Sequence, residues 1–406
     1  MTAPPPAAAS ARSPARPALL DQAVELALDP VTLPAFLDGH REREPLLVPR
    51  NEPGRFDPIL STADVERLVS TTAIRAPAFR LVKSGAQLPA SGYSEDIPWR
   101  PGSFTGTARV DRVAEAFAAG ATIVLQALHV NWHPAALYCR GLEQRLECPV
   151  QANAYYTPSS AQGFGVHHDT HDVLILQVGG RKRWSVYEPV FELPLKSQRW
   201  TDRLGAPGEP VMDVVLEAGD TLYLPRGWPH AAMTSDDESL HLTIGLHPPT
   251  RLDALRAALD ACADDVEFRR SVPADGDVDG DLLARLAARL DPAHVRRRTR
   301  RRFVASRRPI LDDQIDQVRG LERLGAGDLL ERRATVIADL DVTGDGAVLT
   351  FEGRDVVFPA KARAAVAAIV AAGEPFTAAE LPDDLDAAGR LVLVRRLVRE
   401  GFLRRV

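Results

Sequence analysis

Residues 163–177 read GFGVHHDTHDVLILQ, and the fold is decided there. The apolar run that ends this stretch has the length and branched-residue content of a buried strand. His167 and Asp169 lie two apart at the entry of that strand, so an extended backbone turns both toward one face. Further on, EAGDTLYLPRGWPH (217–230) presents His230 just after a second strand. Two histidines and one carboxylate on barrel strands are the facial ligand set that holds a non-haem ferrous ion and leaves its other positions open. His168 alternates away from His167, and His171 lies beyond the aspartate, so neither is assigned as a ligand. His129 and His133 have a helical metal spacing, but ALHVNWHP leaves a strand through a Pro-terminated turn, and both are read as boundary residues.

Working outward, residues 150–250 are a succession of short strands: VQANAYYTP, HDVLILQV, KRWSVYEP, DVVLEAGDTLYLP and LHLTIGLHP. Their turn signals (SSAQGFG, GGR, EAGD, PRGWP) have the spacing of a double-sheet barrel. Residues 19–145 are mixed. LPAFLDGHREREPLLVP predicts a short helix running into a strand, 64–70, 109–119 and 132–147 have helical period, and ATIVLQAL (121–128) predicts a buried strand. Residues 1–18 are rich in Pro, Ala and Ser and predict a disordered tail.

After residue 250 the pattern turns helical through 335. The run RRRTRRRFVASRR (296–308) holds eight arginines in 13 residues. It reads either as a solvated helix face or as a patch that meets RNA or an acidic surface. Apolar positions Leu252, Leu255, Leu259, Leu282, Leu283 and Leu286 exceed what one barrel needs to cover, which predicts a homodimer through this segment. Residues 336–406 order as a hairpin, three helices and a closing strand, the winged-helix pattern. Their last 47 residues carry eight basic and six acidic side chains, so DNA binding is not indicated.

Composition sets the bounds. The chain has 406 residues and a formal charge of −6, which argues against a dedicated nucleic-acid binder as a whole-molecule property. No apolar run is long enough for a membrane span. The N-terminus lacks the apolar core of a secretory signal, and Cys139, Cys148 and Cys262 match neither a disulfide framework nor a zinc pattern. The expected setting is the cytoplasm. Only four residues are lysine against 45 arginines, so each lysine is weighed as a candidate for a specific role.

Lys182 is the informative one. It stands 15 residues after His167, at the start of the next strand in GGRKRWSVYEP, where its side chain can point into the barrel with Trp184 or oppose it, and sequence alone does not choose. A 2-oxoacid held on iron through its keto-acid end has a distal carboxylate that needs a cation. Lys182 is the candidate, and the competing reading makes Arg181, Lys182 and Arg183 a charged turn. Asn153 and Tyr155 on the preceding strand and Thr243 on the closing strand are candidate polar contacts.

Taken together, NAYYTPSSAQGFGVHHDTHDVLILQVGGRKRW and GDTLYLPRGWPH resemble the JmjC-type ribosomal oxygenases, the cupin-4 proteins. The resemblance runs over nearly the whole chain, although the part before residue 145 matches only loosely. It implies an α+β protein: a double-stranded β-helix (jelly-roll or cupin) oxygenase domain over 19–250, a helical dimerisation segment over 251–335 and a winged helix over 336–406. It implies Fe(II), 2-oxoglutarate and O₂, and hydroxylation of an Arg or His side chain of a ribosomal protein. The family's iron ligands fall on His167, Asp169 and His230, its 2-oxoglutarate cation on Lys182, and its asparagine on Asn153. Alternatives are N-methyl-lysine demethylation, hydroxylation of a peptide natural product, or a non-catalytic cupin-like scaffold.

One further motif competes. DVTGDGAVLTFE (341–352) fits a calcium loop at positions 1, 5, 6 and 12. The downstream GRDVVFP is a strand where a calcium-binding hand needs a helix, so a hairpin is the favoured reading.

Overall fold

The computed structural model describes residues 15–159, 165–201, 204–205, 208–233, 237–272, 274, 276 and 280–406. These form two compact units. One comprises the described residues up to Leu146 with Val150–His247, the other Glu147–Pro149 with Pro248–Val406.

The first unit opens with helices α1 (Ala15–Asp21), α2 (Ala23–Leu28) and α3 (Leu33–Gly39), then strand β1 (Leu46–Val48) and α4 (Thr62–Thr71). Of the expected N-terminal tail, residues 1–14 lie outside the described residues. The rest is corrected: the chain is helical from Ala15. Leu19 and Leu20 are buried, and α1 packs on α7 (His133–Leu146) so closely that a Cβ on Gly141 would lie 2.2 Å from the Leu20 carbonyl oxygen. Burial of two leucines outweighs the tail-like composition. At α4, Ser61 and Asp64 form a reciprocal capping box.

Next come β2 (Phe79–Lys83), β3 (Ala86–Gln87), β4 (Ser94–Trp99), β5 (Gly102–Ala108), α5 (Val110–Ala118), β6 (Thr122–Leu125), α6 (Leu128–Asn131) and α7. Strands β2 to β5 are not foreseen by sequence pattern; β4 and β5 are largely exposed, so no alternating apolar face marks them. The strands from residue 150 onward are β7 (Val150–Thr157), β8 (Asp172–Gly180), β9 (Lys182–Val186), β10 (Met212–Leu216), β11 (Thr221–Leu224), β12 (His230–Met233) and β13 (Ser239–Leu246).

One antiparallel sheet runs β1-β11-β8-β13-β7-β6-β2-β3, and a second runs β10-β9-β12. Val173 and Ile175 of β8, Leu222 and Leu224 of β11, Trp184 and Val186 of β9 and Leu216 of β10 form one apolar cluster. The two sheets therefore face each other across a shared core, each fully buried aliphatic side chain contributing roughly 1.5–3 kcal/mol.

The second unit holds α8 (Arg251–Ala261), α9 (Gly280–Arg289), α10 (Pro292–Ala305) and α11 (Gln314–Arg319). After them come β14 (Leu329–Arg332), a β15–β16–β17 meander (Ala338–Thr343, Gly346–Phe351, Arg354–Pro359), α12 (Arg363–Ala371), β18 (Phe376–Thr377), α13 (Ala387–Arg399) and β19 (Leu403–Arg405). Asp341–Thr343 lie on β15 and Gly346 opens β16, so the calcium-like motif is a hairpin. The three cysteines are buried and form no disulfide with one another. No helix among the described residues is long and apolar enough to cross a membrane.

Candidate metal centre

Between the two sheets lies a cavity of about 300 Å³. The segment leading into β8 brings His167 and Asp169 to it, and the start of β12 brings His230. His167 stands outside the regular strand, which begins at Asp172. Its facing is set by an isolated antiparallel bridge to His230. Within that bridge, the His230 N–H donates to the His167 carbonyl at 2.8 Å and the His167 N–H to the His230 carbonyl at 3.2 Å.

One ligand atom from each of His167, Asp169 and His230 falls within 4.8 Å of the other two. His230 Nε2 is 3.9 Å from Asp169 Oδ2. His167 Nδ1 lies 2.8 Å from the Gly165 carbonyl, and His230 Nδ1 lies 3.0 Å from the Trp228 carbonyl. A carbonyl only accepts, so both Nδ1 atoms carry the proton and both Nε2 lone pairs are left for a metal. Burial and the neighbouring His167 push His230 down to about 4. Burial alone would raise the Asp169 carboxyl, yet the surrounding histidines, His230 foremost, hold it below its ordinary value. Two imidazole Nε2 atoms beside a carboxylate suit a ferrous ion.

Two residues that sequence reasoning passed over hold this arrangement. Asp172 is fully buried and accepts from the Tyr223 hydroxyl at 2.9 Å and the Arg226 N–H at 3.0 Å. It ties the PRGWP turn to the entry of β8. Gly227, at φ +90°, donates to the Asp169 carbonyl at 3.0 Å. A Cβ there would lie 2.6 Å from the Phe191 carbonyl oxygen. Gly227 is thus a backbone requirement of this arrangement.

On β9, Lys182, Trp184 and Val186 are buried while Arg183 is exposed. The strand therefore turns Lys182 into the cavity, where its ammonium donates to Thr157 Oγ1 at 3.2 Å. No carboxylate among the described residues pairs with it, and burial lowers its pKa to about 7. Arg181 and Arg183 instead pair outside with Asp237 and Asp213. Tyr155 and Thr243 line the cavity. Tyr155 stacks on His241 at 5.1 Å, and burial pushes its hydroxyl up to about 12.

Asn153 is not among the lining residues. Its Oδ1 accepts from the Ala127 N–H at 2.9 Å, steadying a residue held at φ +53°. Arg80, Thr122, Thr157 and His241 also line the cavity. Thr157 is within reach of the alternation from Tyr155, whereas Arg80 and Thr122 come from strands of the loosely patterned N-terminal part. His168 is buried, its Nε2 3.1 Å from the Gln198 carbonyl, and His171 stacks on His247. His129 Nδ1 accepts from the Ala152 N–H at 3.2 Å.

Residues 127–254, which contain this centre, match the JmjC domain family. This chain carries a JmjC domain. His167, Asp169, Lys182, His230 and Thr243 all lie within it. Ribosomal oxygenase 1 of Gallus gallus is 32% identical over 59% of this chain and 40% of its own length. The bifunctional lysine-specific demethylase and histidyl-hydroxylase NO66 of Drosophila persimilis is 31% identical over 54% and 30%. The chain spans less than half the length of these curated relatives. Among solved structures, the Escherichia coli ribosomal oxygenase YcfD is 21% identical, with a TM-score of 0.55, over 93% of this chain and 98% of that one. A structure of YcfD with cobalt and 2-oxoglutarate, at 20% identity and TM-score 0.55, covers 92% and 98%. The likeness to YcfD is one of fold.

Proposed function

We propose that the JmjC domain is an Fe(II)- and 2-oxoglutarate-dependent oxygenase that hydroxylates an Arg or His side chain of a ribosomal protein in the cytoplasm. The observation that carries this is one cavity with a His-His-Asp donor set at one place and, at another, a buried lysine that no carboxylate among the described residues pairs with. The donor chemistry fits iron. The buried Trp184 Nε1, which has no partner among the described residues, and the Lys182 ammonium fit an anionic ligand beside it. The names of the relatives and the 2-oxoglutarate bound in YcfD support the same assignment.

Iron with 2-oxoglutarate and O₂ supplies the oxidation, in which 2-oxoglutarate leaves as succinate and CO₂ and one oxygen enters a substrate C–H bond. His167, Asp169 and His230 hold the metal, each imidazole oriented by its Nδ1–H bond to a carbonyl. Lys182 binds the distal carboxylate of 2-oxoglutarate, with Thr157 placing the ammonium. Tyr155, Thr243, Trp184 and His241 wall the cavity against water. The barrel is read as a double-stranded β-helix, 251–335 as a dimerisation segment and 336–406 as a winged helix. Leu252, Leu255, Leu259 and Leu283 are exposed on α8 and α9, which a second copy of the chain would cover.

The test is purified protein with Fe(II), 2-oxoglutarate and O₂, followed by intact-mass analysis of ribosomal proteins. Succinate formation and a gain of one oxygen on one ribosomal protein are expected. A loss of one methylene would replace hydroxylation by demethylation, and no succinate would leave the scaffold reading.

A further inference from the structure

The helix α10 holds six arginines and no acidic residue. Its inner side is fixed by Phe303 and Val304, which cluster with Ile337. Arg300 pairs with Glu147 and Asp339, and Arg301 with Asp355. Arg296, Arg297, Arg298 and Arg302 are exposed, and no carboxylate among the described residues pairs with any of them. Arg298 and Arg302 stand one turn apart, as do Arg297 and Arg301, so like charges repeat along the outer face. Such pairs destabilise a helix. A protein whose net charge is −6 here concentrates positive charge on one element.

Beside this face is a recess of about 490 Å³, where Arg296, Arg297 and Arg300 stand against Val295, Phe303 and Pro249. Its two carboxylates, Glu147 and Asp339, are those that Arg300 already engages. Guanidinium groups over an apolar floor suit a ligand with regularly spaced phosphates and flat, weakly polar bases. A solvated helix face would need neither the recess nor the absence of acidic partners.

We propose that the outer face of α10 is a docking surface for single-stranded RNA. The polyanion follows from the helix alone. The choice of RNA rests on the proposed ribosomal substrate, which would bring RNA to the protein. The surface fails or stands independently of the oxygenase chemistry, because RNA binding is measured without turnover.

The experiment is fluorescence anisotropy of a labelled uridine oligonucleotide, about 20 nucleotides long, with the full chain between about 50 and 200 mM salt. Binding with a steep salt dependence is expected. The variant R297Q/R298Q/R302Q should lose about tenfold or more in affinity at the lower salt. Its log–log salt slope should be shallower by about two, at roughly 0.7 per phosphate contact on a single strand. R297K/R298K/R302K should keep most of the binding, which separates charge from helix damage. A control, R67Q/R112Q/R319Q, removes the same charge from exposed arginines elsewhere and should leave affinity nearly unchanged. Three results overturn the proposal: no RNA binding at low salt, equal loss in the control, or tighter binding of polyglutamate than of RNA. The last would make the partner an acidic protein.

Discussion

His167 and His230 exchange both of their backbone hydrogen bonds, and this single bridge brings their imidazole rings to 4.6 Å. They are far apart in sequence, His167 in the segment before β8 and His230 at the start of β12, yet each ring is oriented by a carbonyl two residues before it. The candidate metal centre is thus built from backbone pairing first and side-chain chemistry second.

Removing the carboxylate should abolish the centre. Asp169→Ala is expected to lose tight divalent-ion binding, read by Co(II) titration, and to show no 2-oxoglutarate turnover. His171→Ala should keep the ion, because His171 stacks on His247 and lies outside the donor set. Full turnover by Asp169→Ala would remove the assignment.

Lys182→Ala should separate cosubstrate binding from metal binding. Leaving a buried carboxylate unpaired costs about 2–5 kcal/mol, so the KM for 2-oxoglutarate should rise roughly thirtyfold or more. Co(II) affinity should not move. Arg181→Ala and Arg183→Ala should be close to neutral, since both side chains pair outside the cavity. A large KM effect at either arginine, with none at Lys182, would reassign the contact.

The same lysine predicts a pH dependence. Its folded pKa is lowered to about 7 by burial, below the ordinary value of 10.5. Between those two values the unfolded chain binds more protons at this site, so its contribution to stability rises with pH across that window. Below about pH 7 the buried charge is a full penalty. Lys182→Met should therefore stabilise the metal-free protein most below neutral pH and flatten the rise above it, read by urea unfolding across the range. For 2-oxoglutarate, affinity should fall as pH rises through the folded pKa, because the anion needs the ammonium.

Gly227→Ala tests the backbone requirement. A residue with a Cβ at φ +90° and 2.6 Å from a carbonyl oxygen is strained, at a cost on the order of 1–3 kcal/mol. A lower thermal midpoint together with weaker Co(II) binding is expected. An unchanged Co(II) affinity would mean that the turn does not position Asp169 and His230.

Dimerisation is checked by light scattering. The chain should show the mass of two copies at micromolar concentration, and L255E/L283E should show one. Both leucines are about half exposed in the single chain. A single-copy mass for the unaltered chain would leave these apolar faces to another partner.

Much of the site is legible in the sequence, because ligand chemistry and strand alternation are local. His167, Asp169 and His230 are marked by residue type and spacing alone, and the strands from 150 to 250 by period and turn residues. Lys182 is legible as a candidate but not as an inward side chain: the sequence places it on a face, and only pairing of β9 with β10 and β12 shows which face is buried. Asn153 shows the opposite failure. It has the alternation of a cavity residue, but its amide is held by the Ala127 N–H, a partner 26 residues away.

The sequence by itself determined the strands from 150 to 250 and the donor chemistry, since these depend on neighbours within a few residues. Tertiary structure decided what is long-range. It recruited Arg80 from a strand the pattern does not show and Thr122 from the foreseen strand at 121–128, pinned the PRGWP turn through Asp172, and left four arginines of α10 without acidic partners among the described residues. Each depends on which distant backbone lies alongside, and that is set by packing two sheets and a helical unit around their cores.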